Sequence, residues 1–390
     1  MAPSWIEAAH DEARALLGRP FERPRRASAN GRHVAIGDPQ TTFEKYLRVL
    51  EDHRLLGESG YLDASVVSMG DHFDYLGASA EETSVEGQKC LRWLAEHDPE
   101  QVVLLAGNHD LARVMELAHQ TDESFLRARA SAREVEVLRK KKERTPAEEV
   151  ELARRKARFQ EAFPDLATAE CADRDFSGFQ EAQRALVQRL LVSRRFKLAH
   201  VARTKEGKPI LLTHAGVTER ELAILGLPRE SDVEEMARAL NDFLDAAVDR
   251  VAARWERGEK VALDMGELHV GGRGGVEGGG LLYHRPVYPP KESEPALAPR
   301  TYDPRTLPGI LQACGHTGHK KSLKDLRGAL APSALAFLRG GLRTLTVREG
   351  EIRYEAGIVP GDGAVLHMID AEINYVAHDA YPILDLSRSP

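Results

Sequence analysis

Residues 65–74 read SVVSMGDHFD, a β-branched run that ends abruptly in glycine and a carboxylate. Two more runs share that form: VAIGD (34–38) upstream and VVLLAGNHD (102–110) downstream. Between them lie segments with helical spacing, residues 43–54 and 85–97. Short apolar strands alternating with helices, each strand closing on a polar loop, predict an α/β sheet buried on both faces. Further on, FKLAHVA (196–202) and PILLTHAG (209–216) flank a Gly-containing turn at 204–208, which predicts a hairpin. LQACGHTGH (311–319) repeats the strand-then-polar form, and LRTLTV, EIRYEA and AVLHMID supply the strands of a second sheet packed on the first.

The flanks divide the chain. Residues 4–17 have amphipathic helical spacing and 20–32 read as an Arg- and Pro-rich loop, so 1–32 form an N-terminal helix and loop. From 119 to 195 Arg, Lys, Glu and Ala dominate and β-branched runs disappear, predicting a charged helical insertion: a solvated surface feature or lid, with partner binding as the sharper alternative. Within it Thr145-Pro146-Ala147-Glu148 is a capping box with proline at the first helical position, so one helix ends near 140–142 and the next starts at Thr145. Residues 33–118 and 196–390 then make the main domain. Residues 232–255 read as helix. GGRGGVEGGG (271–280) lacks the GK[ST] ending of a phosphate-cradling loop and reads as a mobile loop.

Composition sets limits on partners. The net charge of −7 disfavours nucleic acid and anionic membranes as general partners. Three separated cysteines, Cys90, Cys171 and Cys314, suggest neither a disulfide framework nor a thiolate metal site, and Cys314 reads as a packed small group. No secretory signal or membrane span is evident, so the expected location is the cytoplasm.

Carboxylate, amide and imidazole groups hold divalent cations, and a two-metal site needs one shared carboxylate. Open α/β sheets gather their functional loops at the carboxyl edge of the strands, where Asp38, Asp71, Asn108-His109, His214 and His316 can meet. Singly, Asp38 and Asp71 read as helix caps, Asn108 as a turn residue and either histidine as a core group. Their order, each directly behind a strand, is what points to a site.

The motifs GDPQ (37–40), GDHFD (70–74), GNHD (107–110), THAG (213–216) and GHT (315–317) resemble the ordered motifs of the calcineurin-like metallophosphoesterases. The hairpin before His214, the HAG sequence and the GHT ending are most similar to the serine/threonine protein phosphatase and symmetric dinucleoside tetraphosphatase branch. The resemblance implies a sandwich of two mixed β-sheets flanked by helices. It implies that Asp38 and Gln40 bind a first metal, that Asp71 bridges, and that Asn108, His214 and His316 bind the second. It further implies His109 as general acid with Asp74 hydrogen-bonded to it, two divalent ions with manganese first and iron or zinc as alternatives, and attack by metal-bound hydroxide.

Three positions depart from the pattern. Gln40 stands where the first motif commonly has His, a weaker ligand that leaves the first metal less secure. Tyr75 replaces the phosphate-clamping arginine of the protein phosphatases, and Arg285 in LLYHRP is the candidate substitute cation, since a guanidinium grips two phosphate oxygens, with a surface ion-pair residue as the plain alternative. His284 beside it is a further, unranked candidate for substrate contact. GHTGH misses the spacing of a GHxH motif, so His319 reads as a rim residue. The expected activity is phosphatase hydrolysis of a phosphomonoester on a protein or small molecule. Its rivals are a dinucleoside polyphosphate or phosphodiester hydrolase and a weakly active metal-binding scaffold using the helical insertion as its partner surface.

Overall fold

The computed structural model describes residues 5–17, 19, 31–57, 60–75, 79–290, 299–336 and 339–389. The loop expected over 20–32 therefore lies, through residue 30, outside the described residues. Among the described residues there are fifteen strands. The first sheet combines β1 (His33–Ile36), β2 (Ser65–Ser68), β3 (Val102–Leu105) and β4 (Phe196–Lys197), all parallel, with the last strand β15 (Leu384–Asp385) antiparallel on the edge of β1. The second has β5 (Ala199–Arg203), β6 (Pro209–Thr213), β11 (Leu311–Cys314), β12 (Arg343–Arg348), β13 (Glu351–Ala356) and β14 (Ala364–Met368) in the order β13-β12-β14-β11-β6-β5. There β6, β11 and β14 run parallel, while β5 and β12 run against them. Two ribbons complete the set: β7 (His269–Val270) with β8 (Gly279–Gly280), and β9 (Arg285–Pro286) with β10 (Thr301–Tyr302). The architecture is thus α/β, with two mixed sheets flanked by helices.

Strand alternation explains the layering. Val34, Ile36, Val66, Val102 and Leu104 face the helices, whereas Ala35, Val67 and Leu105 meet Ile210, Leu212 and Ala313 of the second sheet. On the helix side Phe43, Leu47 and Leu50 of the helix Phe43–Asp52 share a core with Leu91 and Leu94 of Ala80–Ala95. The latter begins five residues earlier than the periodicity predicts, because Ser79 and Glu82 close a capping box. The helical reading of 232–255 is broken after Asp249, giving Val233–Asp249 and Ala252–Glu256.

Residues 119–195 carry the helices Asp122–Arg139, Pro146–Ala162 and Glu181–Val192 and a π-helical turn, Cys171–Asp175. Thr145 Oγ1 accepts from Glu148 N, and Glu148 reaches back to Thr145 N. This segment is more than a charged hairpin. Phe125, Leu152, Phe159, Leu166, Phe176 and Phe179 bury against one another in a separate core, a contribution scattered apolar positions do not advertise. Nor is 271–280 an unpaired loop: it is the turn of the β7–β8 ribbon. Gly272 N donates to Glu116 Oε1, and Tyr283 donates to the same oxygen. Among the described residues no helix is long and apolar enough to cross a membrane.

Candidate active site

Six strands point their carboxyl ends at one place. Asp38 follows β1 by two residues, Asp71 follows β2 by three, Asn108 follows β3 by three, and His214, His316 and Asp370 follow β6, β11 and β14. Because Cys314 pairs with both Thr213 and Met368, His316 and Asp370 emerge side by side. The turns that swing these groups inward are conformationally demanding. Asp71, Asp74 and His316 take left-handed φ of 57°, 66° and 62°, a cost non-glycine residues bear mainly at functional turns. Gly70 (φ 98°) has no room for a side chain, since a Cβ would lie 2.6 Å from Gly107 N and 2.8 Å from His214 Nδ1.

The tightest convergence involves Asp71, Asn108, His214 and His316. His214 Nε2 lies 3.2 Å from Asn108 Oδ1, 3.2 Å from His316 Nδ1 and 3.5 Å from Asp71 Oδ1. His214 Nδ1 sits 2.8 Å from the Met69 carbonyl, which places the ring proton there and leaves Nε2 as a lone pair. A lone pair facing carboxylate and amide oxygens is repulsive unless a cation lies between them. Metal bonds of about 2.1 Å at tetrahedral or octahedral angles space donors about 3.0–3.5 Å apart, the spacing seen here. Burial and the nearby Arg285 hold His316 well below the usual histidine range, and the neutral ring is the form that ligates. Its Nε2 is buried without a hydrogen-bond partner. The donor set fits a divalent cation.

The neighbouring position is richer in charge. Asp38 accepts from His316 N at 2.9 Å, and its carboxyl is pushed well up by burial and by Asp370 and Asp71. Gln40 donates through Nε2 to the Phe73 carbonyl at 3.2 Å, leaving its oxygen as the available donor. Gln40, Asp38 and Asp370 line one cavity of about 560 Å³. Asp370, pushed up to about 7 by burial with Glu372 and Asp71 adding, was missed in the sequence although AVLHMID has the strand-then-acid form of VAIGD.

His109 heads the acid side. Its backbone N–H donates to Asp71 Oδ1 (2.8 Å), and Nδ1 lies 3.0 Å from Asp74 Oδ2. Burial alone would lower its pKa, but Asp71 and Asp74 outweigh that and hold it at about 9. A cation on Asp71 would take away that carboxylate's share and leave Asp74's. Asp74 is itself pinned by Arg113 Nη1 at 2.6 Å, both side chains being fully buried. Asp110 serves as a hub: it accepts from the backbone N–H groups of Asp71, His72 and Gly107 and contacts the His72 ring. Arg113 does not stand out in the sequence, and Asp110 appears there only as the end of GNHD with no role attached, since their partners are loop backbones or distant side chains. Removing one partner of a buried ion pair strands the other charge, so Arg113→Ala is expected to destabilise the fold by about 3–5 kcal/mol in urea unfolding. A loss below about 1 kcal/mol would contradict the role given to this pair.

Arg285, on β9, lines a second cavity of about 380 Å³ together with Asn108, His109, Arg174, Arg300 and Lys321. No carboxylate lies within ion-pair distance of it among the described residues, and its buried Nε has no hydrogen-bond partner. Tyr75, in the place of the absent clamp arginine, is buried beside Asp38 in the larger cavity. His284 turns away: it is 1% exposed, 3.6 Å from Glu221 and packed on Tyr302. His319 is not a rim residue. It opens the helix His319–Asp325 and is buried between the Tyr354 hydroxyl and the Ala334 carbonyl, because the strand ends at Cys314 and the chain turns left-handed at His316. The described cysteines are buried free thiols, and burial pushes Cys314 up.

Comparison with family models and with curated proteins finds no match for this chain. Among solved structures it is similar to a cold-active protein tyrosine phosphatase, at 15% identity over 62% of this chain and 55% of that one, with a TM-score of 0.28. It is also similar to the phosphatase domain of the Legionella effector WipB, at 11% identity over 57% of this chain and 82% of that one, with a TM-score of 0.29. The chain spans about half the length of the first of these. At such TM-scores neither likeness bears on mechanism, which rests on the donor geometry.

Proposed function

We propose that this chain is a metal-dependent phosphoric ester hydrolase that cleaves a phosphomonoester on a protein or small molecule. The observation that carries the reading is the meeting of lone pairs at His214 Nε2, with Asp71, Asn108 and His316 within 3.5 Å, beside a histidine held by a buried carboxylate. Asp71, Asn108, His214 and His316 would hold one ion. Asp38, Gln40 and Asp71 would hold another, with Asp370 adding a carboxylate where an imidazole is lacking. Manganese is the first candidate, iron and zinc the others. Bound there, such ions neutralise phosphoryl oxygens and activate water near neutral pH. His109 protonates the departing oxygen, Asp74 orients His109, and Arg285 grips phosphate oxygens in a fork.

The test pairs elemental analysis with phosphate release. Two equivalents of metal and manganese-stimulated release from an aryl phosphate are expected. A folded, metal-loaded protein inert across several divalent ions would remove the reading.

A second reading, hydrolysis of a phosphoanhydride such as a dinucleoside polyphosphate, is favoured by one observation: Lys321 joins Arg285 around the smaller cavity, whose other cations, Arg174 and Arg300, are paired with Glu170, Asp175 and Glu277. Symmetric nucleoside diphosphate product from a dinucleoside tetraphosphate would select it.

A further inference from the structure

The helical segment 119–195 meets the His109–Asp74 pair just after its π-helical turn. The turn closes with Phe176 N donating to the Cys171 carbonyl at 2.8 Å, and π-type turns concentrate where a side chain must be re-aimed. Phe176, 3% exposed, is thereby set edge-on against His109, with ring centroids 5.4 Å apart and planes at 73°. The Arg113 guanidinium lies 4.7 Å from the Phe73 ring centroid and 5.9 Å from that of Phe176, so the arginine that pins Asp74 lies close to both rings. Two residues on, Gly178 N donates to Asp74 Oδ1 at 3.3 Å. A side chain there would crowd this contact: a Cβ on Gly178 would come 2.9 Å from Thr83 Cγ2 and 3.3 Å from Asp74 Oδ1.

We propose that residues 171–178 are a positioning element for the general acid: Phe176 packs against His109 and Gly178 holds Asp74. The helical segment is then part of the catalytic machinery, not an appended surface. The inference rests on the phosphoesterase reading for its consequence, though not for its geometry. Asp74 has two oxygens. Oδ2 serves His109 and Arg113, and Oδ1 would face outward without Gly178. His109 has its Nδ1 edge on Asp74, and Phe176 packs against the ring, shielding the pair from water and restricting the imidazole's rotation. In a drier setting the Asp74–His109 interaction is stronger, and an aligned acid transfers its proton with less reorganisation.

The test uses full-length, metal-loaded Phe176→Ala, with Phe176→Tyr as the conservative variant. An acid matters most when the departing oxygen is basic, so phenyl phosphate should lose about tenfold to a hundredfold in kcat, a part of the usual contribution of acid catalysis. The loss on p-nitrophenyl phosphate, whose leaving group departs as a stable anion, should be only a few-fold. KM should stay within about threefold, two equivalents of metal should remain, and Phe176→Tyr should recover most of the loss. An equal fall on both substrates, or none, overturns the proposal. Geometry is read separately from the low-field Nδ1–H proton resonance of the zinc-loaded protein, assigned by its absence in His109→Ala. Its loss or broadening in Phe176→Ala is expected, and an unchanged resonance overturns the proposal even if the wild type hydrolyses neither ester. Wild-type inactivity on both esters counts instead against the phosphoesterase reading. Gly178→Ala provides a second variant should Phe176→Ala fail to fold, with the same selective loss expected.

Discussion

Replacing His109 with alanine is expected to lower kcat on phenyl phosphate by about 10²–10⁴ while leaving two equivalents of metal in place. The two parts of the expectation come from different atoms of one residue. The backbone N–H of His109 donates to Asp71 Oδ1, and alanine keeps that bond, so the carboxylate proposed to bridge stays oriented. The imidazole is lost, and with it the proton donor that Asp74 holds beside the proposed metal site. Because Arg113 remains on Asp74, the carboxylate is not left bare and the fold should tolerate the change. Steady-state kinetics with elemental analysis on the same preparation decides the matter. An unchanged rate would take His109 out of the mechanism and favour the scaffold reading.

How much of this site was legible depends on what each residue leans on. Asp38, Asp71, Asn108, His214 and His316 stand directly behind apolar runs, and strand periodicity with parallel connectivity is enough to bring such positions to one edge. Asp370 obeys the same rule and was open to the same reading. Arg113 and Asp110 belong to another kind, since their importance comes from a fully buried ion pair and from backbone amides on separate loops. Phe176 is further still: 67 residues from His109 in sequence, it touches the acid only because the helical segment folds around its own core. His319 shows the reverse failure. Motif spacing reads it as a rim residue, whereas the chain turns left-handed at His316 and begins a helix at His319 that buries the ring. Arg285 lies on a two-residue strand, too short for any periodic signal, and chemistry alone singled it out.

Asp71→Asn should be the most damaging single change. Asn108, the neutral His316 and His214, with its lone pair on Nε2, bring no charge to their cation, so Asp71 supplies the whole negative charge of that donor set. The same carboxylate adjoins Asp38, whose upward shift it helps to cause. Asparagine preserves shape and an acceptor for the His109 N–H, so what is removed is charge. Metal content should fall from two equivalents to at most one, and kcat by about 10³ or more, since the ions supply several kcal/mol of charge stabilisation at roughly 1.4 kcal/mol per tenfold. Thermal melting separates this from misfolding. In chelator, neutralising Asp71 relieves its repulsion of Asp38 and Asp370 but also removes its attraction for the charged His109, so the metal-free variant should melt close to metal-free wild type. With metal added, wild type should gain in melting temperature and the variant much less, because only binding to the folded state shifts that equilibrium. A variant that keeps two ions would show that Asp71 does not bridge. One that melts well below wild type in chelator would show that its carboxylate holds the fold by its charge, and that the loop geometry around Gly70 and Gly107 was built for stability first.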